Sequence, residues 1–174
     1  MPLIGANNQR YEPLNVLEVS AVYQKVLVPL DGSELAECAL PHVINLVKNG
    51  SVGEVTILNV FSAHNNFMPS EYDYGGLGYA ELKERVMDNS IKYLADVESR
   101  LSAEGIKVKT QSLESLRPAN IIAEYVQKMG INLIIIATHG YTGLEKLMFG
   151  SVALEVLHNS HVPVLLIKPE SCKA

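Results

Sequence analysis

Two places in this chain combine residue types that could do chemistry. The first is Asp31, a carboxylate placed directly after the apolar run Lys25 to Leu30 and followed by Gly32-Ser33. The second is Ala137-Thr138-His139-Gly140-Tyr141-Thr142-Gly143, which leads through Leu144 to Phe149 into Gly150-Ser151, where a helix is expected to begin. A phosphate chain needs close backbone approach, converging N–H donors and a favourable dipole. Glycine supplies the first, and a helix opened by Gly-Ser supplies the others. Gly140, Gly143, Gly150 and Ser151 meet that need, although glycines between a strand and a helix also serve as plain turn residues. The spacing matches neither Walker A nor the dinucleotide-binding glycine fingerprint. For Asp31 two roles stay open, a cap on the helix that follows and a contact to a ligand at the strand end.

These residues need a frame, and the hydrophobic pattern describes one. Lys25–Leu30, Glu54–Phe61, Ile106–Ser112, Asn132–Ala137 and Val162–Lys168 read as strands. Between them lie helical periodicities. Leu40, Val43, Ile44 and Val47 follow the Ser33 N-cap candidate, with Pro41 expected to kink that helix from inside. Met87, Ile91, Leu94, Val97 and Leu101 form a second stripe, and Ile121, Ile122, Tyr125, Val126 and Met129 a third. A last helix is expected from about Ser151 to Asn159. Strands alternating with helices predict an α/β, doubly wound, open five-stranded parallel sheet with helices on both faces. The wet face of Ile106–Ser112 puts that strand at an edge, and Pro163 puts the last strand at another. In such a sheet, ligands bind at the carboxyl ends of strands where the strand order reverses.

With the frame in place, KVLVPLDGSELAECAL, EVTILNV and IIIATHGYTGLEKLMFGSVALEVLHNSHVPVLLIK together resemble the universal stress protein family from Lys25 to Lys168. Its ATP-binding branch carries G-x-x-G, nine residues, then G-[ST]. Here Gly140 is followed by nine residues and Gly150-Ser151, with Ala137 in place of the first glycine and Tyr141 where relatives often carry Arg or Lys. The resemblance implies a Rossmann-like sheet of strand order 3-2-1-4-5. It implies an adenine nucleotide, ATP above all, with Mg²⁺ or Mn²⁺ at the phosphates. Pro29 and Leu30 would line the adenosine pocket, and Asp31 would meet the ribose hydroxyls or indirectly help hold the metal. Val60 would meet the adenine edge through its backbone. Ala137, Gly140, Gly150, Ser151 and Val152 would surround the phosphates, with Gly143 in the same loop and His139 shaping it. It further implies a homodimer paired through the C-terminal strand, at Val162, Val164, Leu165, Leu166 and Ile167. A cover supplied by the chain's own Val16–Val22 is the alternative for that apolar edge.

The expected domain layout is an N-terminal extension over 1–22 and one domain over 23–170 with a flexible insertion at about 62–80. Composition narrows the function classes. A chain of 174 residues, 48% hydrophobic with net charge −5, fits one domain and lacks the basic field that draws a protein to nucleic acid or anionic membrane. No run approaches the ~20 apolar residues of a spanning helix. A cytoplasmic, stress-responsive nucleotide switch without catalytic residues is the expectation. The alternatives are a slow ATPase or adenylyl-transferring enzyme on the same fold, and a nucleotide-free interaction protein. Neither a HIGH motif nor an SGGxDS loop occurs to favour the enzyme. His42, His64, His139, His158 and His161 show no metal-ligand spacing, and Cys38 reads as a small core residue. Tyr72, Tyr74 and Tyr79 read as part of a mobile loop, with a base-stacking lid as the alternative.

Overall fold

The computed structural model describes residues 21–63, 78–138 and 150–168. Five strands, β1 (Tyr23–Pro29), β2 (Val52–Phe61), β3 (Val108–Glu114), β4 (Leu133–Ala137) and β5 (Val164–Ile167), form one parallel sheet. Their order is β3-β2-β1-β4-β5, as expected, with the two predicted edge strands at the edges. Among the described residues five helices connect them: α1 (Glu34–Glu37), α2 (Leu40–Lys48), α3 (Tyr79–Ala103), α4 (Pro118–Met129) and α5 (Ser151–Asn159).

The sheet is covered on both faces, which is why its central strands carry near-continuous apolar sequence. All five residues of β4, LIIIA, are buried. Successive side chains point to opposite faces, so Ile135 joins one core with Val26, Val28, Val55 and Ile57. Ile134 and Ile136 join the other with Leu27 and Leu58. Helices α1, α2 and α3 cover the first face, and α4 and α5 cover the second. The β1–β2 and β2–β3 crossovers therefore pass over one face of the sheet, and the β3–β4 and β4–β5 crossovers over the other.

Four local expectations change. Pro41 does not kink one long helix. The chain breaks before it into α1 and α2, and Pro41 sits in the first turn of α2, where its missing N–H has no intrahelical partner to lose. Met87 and Ile91 are exposed, while Ser90 is buried beside Leu94, Val97 and Leu101. The reason is phase: the face that α3 turns to the sheet runs through Ser90, Leu94, Val97 and Leu101, and Met87 and Ile91 lie to one side of it. Met129 is likewise half exposed at the end of α4. Cys38 is buried as expected, yet as a half-cystine and not as a free thiol. Cys172, the other cysteine of the sequence, lies outside the described residues.

Truncation in the centre of the sheet tests this core. Ile135→Ala should lower unfolding free energy by about 2–5 kcal/mol, read from the midpoint shift in urea denaturation at unchanged slope, because Ile135 is fully buried.

Candidate functional site

Strand β1 pairs with β2 on one side and β4 on the other, and this is where the strand order reverses. Because the chains leaving β1 and β4 turn to opposite faces, a crevice opens at the carboxyl ends of these two strands. It has a volume of about 220 Å³. Its floor and one side are apolar, made by Pro29, Leu58, Val60, Pro118, Ile122 and Ile136. The polar groups enter from Asp31 at the end of β1 and from Gly150-Ser151 at the start of α5.

Asp31 sits in the turn that ends β1 and begins α1. One of its oxygens, Oδ1, accepts from the Ser33 backbone N–H at 3.0 Å and from the Ser33 hydroxyl at 2.6 Å. Ser33 in turn caps α1, its Oγ accepting from the Ala36 N–H at 3.1 Å. The capping task thus falls to Ser33, while Asp31 orients the cap and is itself an exposed residue of the crevice lining. Gly32 lies between them at φ +85°, a conformation that an L side chain rarely adopts. Helix α1 is pinned from behind by Arg100 of α3, which donates to Glu37 at 2.9 Å and also pairs with Asp96. Beside this group burial holds the Tyr93 phenol well above its ordinary range, with the Glu37 carboxylate adding to the effect.

On the opposite wall, the Gly150 N–H donates to the Thr138 carbonyl, so the two ends of the segment joining β4 to α5 are tied together at the crevice. Gly150 is the N-cap of α5, at φ −54° and ψ 141°, and among the described residues no side chain caps the first turn. The first intrahelical bond is Leu154 N–H to Gly150 carbonyl at 3.0 Å. The N–H groups of Ser151, Val152 and Ala153 therefore precede it, on three residues that line the crevice, at the positive end of the helix dipole. An anion is the natural complement of such an end.

Eight residues singled out in the sequence share this one crevice: Pro29, Leu30, Asp31, Val60, Ala137, Gly150, Ser151 and Val152. His139, Gly140 and Gly143 lie outside the described residues, as does Tyr141. Of the tyrosines weighed for a lid, Tyr72 and Tyr74 also lie outside, and Tyr79 opens α3 with its hydroxyl donating to Glu114 at 3.4 Å. Sequence reading missed Ala36, Leu58, Pro118, Ile122, Ile136 and Ala153 in the lining, having taken the apolar ones only for core. Their signal was positional, since Leu58 and Val60 share one face of β2. Among the described residues no group of three or more His, Cys, Asp or Glu could hold a metal ion.

A doubly wound parallel sheet with a crevice at its order reversal, one wall carrying Asp31 and the other the start of α5, defines an α/β protein of the open-sheet class. Within that class the chain belongs to the universal stress protein family, whose model matches residues 22–168. It is similar to universal stress protein MJ0531 of Methanocaldococcus jannaschii, 34% identical over 148 residues that make up 84% of this chain and 83% of that one. The solved structure of MJ0577 from the same organism superposes with a TM-score of 0.69 at 29% identity, covering 85% of this chain and 97% of that one. More distant solved relatives include a universal stress protein in complex with cAMP and one from Arabidopsis thaliana with AMP bound. They have TM-scores of 0.60 and 0.59 at 17% and 15% identity, cover 84% and 83% of this chain, and span 98% and 91% of their own lengths.

The Ser33 cap offers a direct check on the acidic wall. Ser33→Ala should cost about 1 kcal/mol of stability, measured by urea denaturation, since it removes both the α1 cap and the hydroxyl that holds Asp31.

Proposed function

We propose that this protein binds an adenine nucleotide, ATP or a close relative, in the crevice between the ends of β1 and β4, and acts as a nucleotide-dependent regulatory switch. The observation that carries the reading is the pairing of walls. A carboxylate stands at the end of β1, and an uncapped helix N-terminus stands across an apolar floor from it. Ribose hydroxyls donate to a carboxylate, phosphate oxygens accept from backbone N–H groups, and a purine prefers an apolar slot. Asp31 is assigned the ribose, and Gly150, Ser151 and Val152 the phosphates. Pro29, Leu30 and Val60 take the adenosine, with Ala137 beneath the phosphate chain. Family relatives captured with cAMP and AMP support the ligand class.

A divalent ion fits this donor set only through the ligand. Asp31 is the one crevice carboxylate among the described residues, so Mg²⁺ or Mn²⁺ would be held by phosphate oxygens with Asp31 reaching it indirectly. The ion would neutralise phosphate charge there.

The C-terminal strand is assigned to a homodimer. Leu165 lies opposite Ile135 in the ladder yet is 38% exposed, because the helices of that face cover the other strands and stop short of the edge. Val162, Val164 and Leu166 turn toward α4 and α5 instead, and Ile167 is buried in the first core. An apolar edge strand of this kind calls for a cover, and a two-fold related copy supplies one. Among the described residues no helix is long and apolar enough to cross a membrane.

Calorimetric titration with Mg·ATP, with mass spectrometry of whatever co-purifies, tests the ligand. Wild type should bind, and Gly150→Val should lose binding while keeping its circular dichroism spectrum and oligomeric state. Equal affinity in the two proteins would reject the phosphate assignment. For the assembly, Leu165→Lys should move the sedimentation coefficient from dimer to monomer, and a monomeric wild type would reject the strand pairing.

A further inference from the structure

One polar side chain in the middle of an apolar strand is not used by the crevice. Asn59 follows Thr56, Ile57 and Leu58 in β2 and is 7% exposed, on the α1–α3 face of the sheet and outside the crevice lining. Its Nδ2 donates to the Leu30 carbonyl at 2.8 Å, and its Oδ1 accepts from the Ser90 hydroxyl of α3 at 2.6 Å. The Ser90 oxygen lies 2.6 Å from the Ser112 hydroxyl oxygen of β3.

The chemistry of these groups gives the chain of bonds a direction. A flipped amide would set Oδ1 against the Leu30 carbonyl, two acceptors at hydrogen-bond distance, so the carbonyl dictates the orientation. Ser90 has one hydroxyl proton and uses it on Asn59, which makes Ser112 the donor to Ser90. The relay therefore runs from β3 through α3 and β2 to the last carbonyl before Asp31.

That carbonyl lies where the sheet lets go of the chain. The β1–β2 register ends at Pro29 opposite Leu58, and Leu30 retains only its N–H bond to the Leu58 carbonyl at 2.9 Å. Asn59 supplies the partner for the Leu30 carbonyl, in the peptide group that joins Leu30 to Asp31. With both polar groups of Leu30 held from β2, the next residue, Asp31, leaves the strand in one direction.

We propose that Asn59 is a positioning residue for the crevice, fixing through the Leu30 carbonyl the direction in which the Asp31 carboxylate is presented, and tying that direction to α3 through Ser90. The ligand part of this inference rests on the nucleotide reading above; the part about the turn does not. A buried amide retained where Leu or Val would pack costs stability unless its bonds are made. Here both ends are engaged, and one of them controls the residue assigned to the ribose.

Two variants and two readouts test it. Asn59→Leu removes both bonds, and Asn59→Asp keeps the acceptor for Ser90 while removing the donor to Leu30. Affinities for Mg·ATP and for 2′,3′-dideoxy-ATP are measured by calorimetry. In both variants Mg·ATP should weaken about three- to tenfold, the scale of one net hydrogen bond, while the dideoxy analogue, which offers Asp31 no hydroxyl, changes little. In an Asp31→Ala background the Asn59 substitutions should have no further effect. Equal weakening of both nucleotides, or full additivity with Asp31→Ala, would show that Asn59 merely supports the fold and would overturn the proposal. The second readout needs no ligand. Amide exchange at Ser33, whose N–H is held by Asp31, should accelerate in the Asn59 variants beyond the change in global stability measured on the same samples. Unchanged relative protection there overturns the proposal even if wild type binds no nucleotide, and an accelerated Ser33 with no nucleotide bound sinks only the nucleotide reading. If Asn59→Leu does not fold, Asn59→Asp carries both measurements.

Discussion

Everything about this molecule turns on β1 sitting in the middle of the sheet with β2 on one side and β4 on the other. The order 3-2-1-4-5 requires the chain to build outward from β1 twice, once over each face. Helices from the two halves therefore part company at the carboxyl ends of β1 and β4, and no crossover fills the gap. The crevice follows from connectivity. Side chains decide only what it holds.

Once that gap exists, small local devices give its walls their character. On one side Gly32 at positive φ, the Ser33 cap and the Asp31–Ser33 bonds fold the strand end into a turn with an outward carboxylate. On the other the Gly150–Thr138 bond draws the start of α5 up to the end of β4. Neither wall belongs to the hydrophobic core, yet each is anchored in it. Leu30 and Ala36 are core residues next to the acidic turn, and Ala153 is one a turn into α5. Arg100 reaching to Glu37 and Asn59 reaching to Leu30 brace the acidic wall from the α3 side. The exposed ion pair contributes little by itself in high dielectric. The buried amide, cut off from water, acts more strongly.

The fold was legible in the sequence because its signals are local. Central strands of a parallel sheet need apolar residues on both faces, so LIIIA and KVLVPL announce themselves, and Gly or Asn closes the helices that follow. The spacing from Gly140 to Gly150-Ser151 carried the family. Where the reading failed, packing had overridden a periodic pattern: Met87 and Ile91 continue the apolar stripe of α3, but the face turned to the sheet passes through Ser90 and leaves them to one side. Pro41 looked like an interior kink because periodicity continues through it, and only the break into α1 and α2 places it in a first turn.

By itself, then, the sequence determined the class of fold and the edge strands, and it singled out Asp31 and Gly150-Ser151, which the fold brings into one crevice. Those follow from residue type and near-neighbour spacing, which a linear chain displays openly. Tertiary structure alone decided that Leu58, Ile122 and Ile136, indistinguishable in sequence from other core positions, floor the crevice. It alone placed Asn59, 28 residues after Asp31 in the chain, one residue's carbonyl away from it in space. Such contacts join segments that the sheet brings side by side, and no local pattern encodes them, because the partner is chosen by strand order and register.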